Sequence, residues 1–210
     1  VKYNIKIVLV FLGIIIMPKF FYAQVDFNKR PDDDLGNVED KFQESFFEAL
    51  KQSGIENYDR AIKALNKCVE LRDSEAAVYY ELGLILTLKK DSSAIFYYKN
   101  GLEVDPVNLD LLYSLAWSYS EFGKLKEAEV VYQELLTLDK NHSSAKFNWA
   151  IIKMNKLEHD TCLILLNELL VAEPLNEEFL NVKGKTLEYL GLYDEAKAVS
   201  KQLISLKKAK

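Results

Sequence analysis

Through most of this chain, apolar residues recur at the i, i+3, i+4 spacing of an amphipathic helix, in stretches separated by short polar breaks. The segment 109–142 shows the pattern clearly. Its apolar positions predict one helix through Leu112, Leu115, Ala116 and Tyr119, and a second through Ala128, Tyr132 and Leu135. Gly123 and Lys124 lie between them and predict a turn. The unit predicted by this pattern is a pair of antiparallel helices.

The same pattern returns with a period of 34 residues, which indicates a repeat architecture. One series of small residues consists of Ala61, Ala94, Ala128, Cys162 and Ala196, and a second of Gly83, Ala116, Ala150 and Gly184. Pro106 and Pro174 lie two periods apart, as do Gly123 and Gly191. Small side chains are expected where two helix axes approach closely. The sequence therefore predicts an all-α stack of helical hairpins.

These residues resemble the tetratricopeptide repeat, whose pattern is W-x2-L-G-x2-Y, then A-x3-F, then Pro. One unit reads Tyr79-x2-Leu82-Gly83-x2-Leu86, Ala94-x3-Tyr98 and Pro106. Lys146, Lys183 and Ser200 depart from the pattern at positions that are usually apolar. The resemblance implies a right-handed superhelical solenoid of about five repeats. We place these repeats at 42–75, 76–108, 109–142, 143–176 and 177–210.

In that family the first helix of each repeat lines a concave groove. The resemblance places seven residues there as candidate partner-binding residues: Tyr80, Leu84, Tyr113, Trp117, Phe147, Ile151 and Met154. Exposed aromatic stripes favour binding of a protein or peptide with apolar anchors. Alternatively, Tyr80, Tyr113 and Phe147 pack between adjacent first helices. In the fifth repeat the equivalent face is polar and contains Glu178, Asn181, Lys185 and Glu188, which is typical of a polar rim or a terminal cap.

Residues 1–23 have the layout of a secretory signal peptide, with Lys2 and Lys6 before an apolar run and Ala23 at its end. We expect cleavage after Ala23, although retention as an anchor is the alternative. Residues 24–41 are acidic, show no apolar period and predict a flexible linker. We therefore expect an exported protein, periplasmic, surface-associated or secreted, without a membrane span after signal removal.

Charge and composition exclude several classes of function. The net charge of −5 becomes −8 when the signal segment removes Lys2, Lys6 and Lys19 and no acidic residue, so nucleic acid is a poor partner. With only two His and two Cys, the sequence shows no metal, cofactor or catalytic motif, and we predict that the protein is not an enzyme. Cys68 and Cys162 are predicted to be buried free thiols, because several helices should separate them. His142 and His159 fall in predicted turns and are expected at the surface.

The sequence therefore predicts a non-catalytic protein–protein interaction adaptor or assembly subunit of the cell envelope. Two alternatives remain open. One is a structural module that self-associates through its last repeat, which has no additional capping helix. The other is an accessory subunit of an envelope enzyme or secretion machine.

Overall fold

The structure of the protein is a computed structural model that describes residues 34–208. Over this range the chain forms ten α-helices and no β-strand. The helices are α1 (Asp34–Gly54), α2 (Tyr58–Leu71), α3 (Ala76–Leu88), α4 (Ala94–Val104), α5 (Leu109–Glu121), α6 (Leu125–Leu138), α7 (Ser143–Asn155), α8 (His159–Ala172), α9 (Glu177–Tyr189) and α10 (Tyr193–Lys208). By its internal packing, the chain divides between Lys41 and Phe42 into two units. The packing described below is that of the second unit, within residues 42–208.

The first helix begins earlier than the sequence predicted. Residues 34–41 were expected to belong to the flexible linker, but they form the first part of α1. Extending an existing helix requires no new nucleus, so residues of modest helix propensity are added at little cost. The predicted signal segment and residues 24–33 of the predicted linker lie outside the described residues.

The second unit consists of helices that pack in chain order. α3 packs on α4, α5 on α6, α7 on α8, and α9 on α10, and each of these hairpins also contacts the next along the chain. This arrangement confirms the predicted all-α solenoid of helical hairpins. The first helices of successive hairpins, α3, α5, α7 and α9, also contact one another, whereas the described second helices show no comparable contacts among themselves. We call the surface formed by these four first helices the inner surface.

The small residues predicted to mark close helix packing are buried. Ala61, Ala94, Ala128 and Cys162 have no exposed surface, and Ala196 is 3% exposed. Cys68 is also buried, and both cysteines are free thiols, as predicted. Burial raises the pKa of the Cys68 thiol to about 11, so this thiol is protonated at neutral pH and is unreactive.

The turns inside the five hairpins share one backbone geometry. Glu56, Lys90, Gly123, Leu157 and Gly191 all have φ between 57° and 75°. In each turn this residue donates its N–H to the carbonyl three residues back, and the following residue donates to the carbonyl five residues back. This is the Schellman motif, which satisfies carbonyl groups at the end of the first helix. Glycine occupies the left-handed position in only two of the five turns.

None of the helices in the described range is both long enough and apolar enough to cross a lipid bilayer.

Candidate functional site on the inner surface

A pocket of about 370 Å³ opens on the inner surface between the first helices α5, α7 and α9. It is lined by Tyr113, Ser143, Ser144, Phe147, Asn148, Glu173, Asn176, Glu178 and Phe179. Three hairpins contribute to this site, so its shape depends on the stacking of the repeats. Two of the seven predicted partner-binding residues, Tyr113 and Phe147, are among these lining residues.

The position of Tyr113 is fixed by contacts on several sides. The amide of Asn148 donates one hydrogen bond to the Tyr113 hydroxyl oxygen at 3.1 Å and another to that of Tyr132 at 3.2 Å. The Tyr113 and Tyr132 rings lie 6.3 Å apart in a tilted arrangement. On another side, the ring of His142 stacks on Tyr113 with 5.3 Å between centroids. Such contacts order the side chain before any partner arrives, which lowers the entropic cost of binding.

Phe147 and Phe179 form the apolar wall of the pocket. Their ring centroids are 4.9 Å apart and their planes are inclined by 41°. Both side chains are largely buried, at 8% and 5% exposure, because they also belong to the core cluster between α7, α8 and α9. The pocket therefore has a rigid aromatic wall that is continuous with the hydrophobic core.

The polar rim is formed where α7 and α9 begin. Asn176 caps α9, since its side-chain oxygen accepts hydrogen bonds from the backbone N–H groups of Glu178 at 3.0 Å and Phe179 at 3.2 Å. The Asn176 amide in turn donates to the Glu173 carboxylate at 2.8 Å. In the same way, Nδ1 of His142 caps α7 by accepting the N–H of Ala145. These caps satisfy the N–H groups of Ala145, Glu178 and Phe179 at the rim.

The electrostatic character of the pocket is acidic. Glu173 and Glu178 are exposed at its rim, and no lysine or arginine is among its lining residues. Within residues 36–208, neither carboxylate forms a salt bridge with a basic side chain. The same part of the chain contains no cluster of His, Cys, Asp and Glu with the geometry of a metal site. The pocket therefore has a mainly polar lining around three aromatic residues, with two exposed carboxylates that form no salt bridge in this range.

The other five predicted residues lie on the same set of first helices but do not line this pocket. They are Tyr80 and Leu84 on α3, Trp117 on α5, and Ile151 and Met154 on α7, and all five are half-buried. Tyr80 lies 6.3 Å from Tyr98 at an angle of 60°, which repeats the Tyr113–Tyr132 geometry one hairpin earlier. Packing within the hairpin therefore accounts for part of the burial of both tyrosines, whereas the alternative interpretation of the sequence placed them between adjacent first helices.

The two histidines, which were expected at the surface, are less exposed than predicted. His142 and His159 are each half-buried. His142 caps α7 and stacks on Tyr113, whereas His159 stacks on Tyr189 at 4.9 Å with nearly parallel planes. Residues at the turns of a stacked array come close to an adjacent hairpin, so His142 contacts a ring of the hairpin before it and His159 a ring of the hairpin after it.

Sequence reasoning missed the contribution of the turn between the fourth and fifth hairpins. An acidic residue three positions before a capping residue occurs in three successive inter-repeat turns: Asp105 before Asn108, Asp139 before His142, and Glu173 before Asn176. This 34-residue periodicity, together with the Asn176-Glu177-Glu178 helix-start pattern, was the signal that could have located the rim. Glu178 was noted as part of a polar rim, and the structure places it in the pocket.

The fold and this site define a helical-repeat protein, and comparisons with known proteins agree. The sequence profile of the tetratricopeptide repeat matches residues 52–75, 109–142 and 177–210. Anaphase-promoting complex subunit 3 of Schizosaccharomyces pombe is 24% identical over 125 residues. That alignment covers 59% of this chain but only 19% of the relative.

Similar solved structures have the same architecture. A crystal structure of MamA superposes with a TM-score of 0.75 at 18% identity, covering 81% of this chain and 93% of that one. YrrB, described as a tetratricopeptide repeat protein with an unusual peptide-binding site, has a TM-score of 0.67 at 22% identity over 78% of this chain and 85% of its own. PilF of Pseudomonas aeruginosa has a TM-score of 0.68 at 16% identity over 80% and 78%. Three segments of the chain therefore match the tetratricopeptide repeat, and the solved structures share its helical-repeat fold.

Proposed function

We propose that this protein is a non-catalytic adaptor or assembly subunit that binds a segment of a partner protein on its inner surface. The observation that supports this proposal is the pocket between α5, α7 and α9, where Tyr113 and Phe147 are held in place by neighbouring side chains. Aromatic side chains in preorganised pockets provide much of the binding energy in peptide recognition. A volume of about 370 Å³ is near the lower end for ligand sites, which suits one anchoring side chain of a longer segment.

Site-specific photocrosslinking tests this proposal. A photoreactive amino acid replaces Ser144, an exposed residue of the pocket, in the full chain expressed in its native cells. The control carries it at Gln133, an exposed residue on the second helix α6. We expect a partner that crosslinks from position 144 and not from position 133.

The purified partner should then bind the unmodified protein. Its affinity for Ser144→Trp should be at least about tenfold lower, a loss of about 1.4 kcal/mol, because the tryptophan fills the pocket. Gln133→Trp should bind normally. Binding at the inner surface would be contradicted if both positions crosslink the same proteins. It would also be contradicted if the partner binds the two tryptophan variants with equal affinity.

We further propose that the protein acts in the cell envelope, on the strength of the signal-like residues 1–23. Cell fractionation followed by N-terminal sequencing of the protein tests this part independently. A mature chain that begins at Gln24 in an extracytoplasmic fraction is the expected result. An unprocessed chain in the cytoplasmic fraction would overturn it without affecting the binding proposal.

Self-association is the second candidate function, because the last hairpin exposes large apolar side chains. Tyr189 is 68% exposed, Tyr193 70% and Ile204 55%. Light scattering over a range of concentrations distinguishes the two functions. If the protein forms a dimer, and if Tyr193→Glu and Ile204→Glu dissociate that dimer, self-association is favoured. A protein that is monomeric at all concentrations would exclude self-association.

A further inference from the structure

The chemistry of the pocket identifies the kind of side chain that it accepts, an inference that rests on the proposed function. Three aromatic residues, Tyr113, Phe147 and Phe179, line one part of the pocket. Two carboxylates, Glu173 and Glu178, line another. An apolar residue of a partner would contact the aromatic residues but would leave the negative charge of the two carboxylates uncompensated.

The sign of the local potential is set by the carboxylates. The positive ends of the α7 and α9 dipoles point toward the pocket, and a free helix start would attract an anion. Here, however, His142 and Asn176 already accept hydrogen bonds from N–H groups at these helix starts. Since no lysine or arginine lines the pocket, a bound anion would meet Glu173 and Glu178 without compensation.

A long cationic side chain satisfies both parts of the pocket. Its methylene groups can lie on the aromatic wall while its charged end reaches the carboxylates at the rim. A cation near an aromatic face gains further attraction from the ring quadrupole. Guanidinium and ammonium groups both form charge-assisted hydrogen bonds with carboxylates, and the guanidinium does so with two oxygens at once.

We propose that the pocket between α5, α7 and α9 binds an arginine or lysine side chain of the partner segment, with the aliphatic stem against the aromatic lining, mainly the half-buried ring of Tyr113, and the charge at Glu173 and Glu178. The partner is therefore a protein segment with at least one exposed basic residue. This preference is opposite to that of a site for a peptide's terminal carboxylate, which needs basic residues that this pocket lacks.

A series of short peptides tests the proposal. The host is a nine-residue peptide of glycine, serine and leucine, acetylated and amidated so that its termini are uncharged, with arginine, lysine, citrulline or glutamate at its centre. Citrulline is the matched control because it keeps the shape of arginine and lacks the charge. Binding to the full chain is measured by NMR titration, following the backbone amides of Asn148 and Phe179.

We expect the arginine and lysine peptides to bind about tenfold more tightly than the citrulline peptide, with the glutamate peptide weakest. Glu173→Gln combined with Glu178→Gln should abolish this difference, because both side chains are exposed and glutamine keeps their size and an acceptor oxygen. Glu195→Gln, an exposed charge removal on α10 outside the pocket, should preserve it.

Three results would overturn the inference. If the citrulline peptide binds at the pocket as tightly as the arginine peptide, the charge preference is wrong while the proposed function stands. If the arginine preference survives in the double glutamine variant, the cation binds elsewhere. If no peptide of the series shifts the pocket resonances, both this inference and peptide binding at the pocket fail.

Discussion

A β-carbon placed on Gly83 would lie 2.5 Å from Cε1 of Tyr98, and the ring of Tyr98 has no exposed surface. The two residues belong to the facing helices α3 and α4, so the absence of a side chain at position 83 allows the tyrosine ring to fit between the helices. The Tyr98 hydroxyl then lies 3.3 Å from Oγ1 of Thr87, and that oxygen is 3.0 Å from the Ser118 hydroxyl of the next hairpin. The close approach of Gly83 and Tyr98 therefore also supports the contact between the second and third hairpins.

The Gly83–Tyr98 contact predicts a different outcome for two glycines in the same helical register. Gly83→Ala should destabilise the protein by about 1–3 kcal/mol, because an enclosed ring has to move. At Gly184 the added β-carbon would meet only Cγ1 of Val199 at 3.7 Å, an ordinary contact. Gly184→Ala should therefore stabilise the protein by about 0.5–1 kcal/mol through helix propensity. Urea denaturation of both variants checks this, and equal effects at the two positions would contradict the steric explanation.

The turn between α7 and α8 gives a second prediction. Leu157 has φ of 62° and is 75% exposed, so it is strained and gains little from burial. Leu157→Gly should raise the free energy of unfolding by about 0.5–1 kcal/mol, since relief of the left-handed backbone exceeds the entropy that glycine adds to the unfolded chain.

Leu157→Ala is the matched control for that turn. It removes the exposed side chain but keeps the β-carbon that causes the strain. Thermal denaturation should therefore show a higher Tm for Leu157→Gly and little change for Leu157→Ala. A similar rise for both variants would mean that loss of the exposed leucine, and not the backbone, is responsible.

The hairpins and their close contacts could be predicted because they depend on periodic features of the sequence. Ala61, Ala94 and Ala128 recur at a fixed spacing, and only small residues fit where helices approach closely. The left-handed turn positions were visible only where glycine occupies them, as at Gly123 and Gly191. At Glu56, Lys90 and Leu157 the stacking of the hairpins imposes a conformation that the residue itself disfavours.

Part of the candidate site could be predicted because some of its residues also recur with the repeat. Tyr113 and Phe147 could be assigned to the inner surface because they share a position in the repeat. Glu173 lies in a turn, and its place in the pocket depends on the Asn176 cap and on how the fourth and fifth hairpins stack. Such contacts between repeats are set by side-chain geometry that a hydrophobic pattern does not encode.

A group of charged residues between α6 and α7 leads to a prediction about acid stability. Glu129 is largely buried, and its carboxylate forms ion pairs with Lys153 and, at 2.8 Å, with Lys156, while Trp149 donates a hydrogen bond from its indole at 3.3 Å. Burial alone would raise the pKa of Glu129, but the hydrogen bonds from Lys153, Lys156 and Trp149 outweigh it and lower the pKa to about 2.

Because the pKa of Glu129 is lower in the folded state, its ionised form stabilises the fold at pH values above its ordinary pKa of 4.5. This contribution is lost as the pH falls from about 4.5 to about 2. Glu129→Gln should therefore destabilise the protein by about 1–3 kcal/mol at pH 7 and by much less near pH 2. Denaturant titrations of both proteins at several pH values measure the difference. A penalty that does not change with pH would contradict a role for the charge.

Glu81 on α3 leads to the opposite pH dependence. Its side chain is buried, with 9% exposure, and no hydrogen bond or ion pair connects its carboxyl group to another residue in the described range. Burial raises its pKa from 4.5 to about 7. The folded protein therefore retains the proton more strongly than the unfolded chain, and stability decreases as the pH rises from about 4.5 to about 7.

Glu81→Gln should remove that cost, because the amide stays neutral at every pH. We expect the variant to be more stable than the unmodified protein by about 3 kcal/mol at pH 8 and nearly equal to it at pH 4.5. Glu134→Gln, an exposed charge removal on α6, is the control and should show little effect at either pH. Tm measurements of the three proteins across this range test the prediction. A Glu81→Gln variant that is less stable at pH 8 would show that the carboxylate has a favourable partner in the native state.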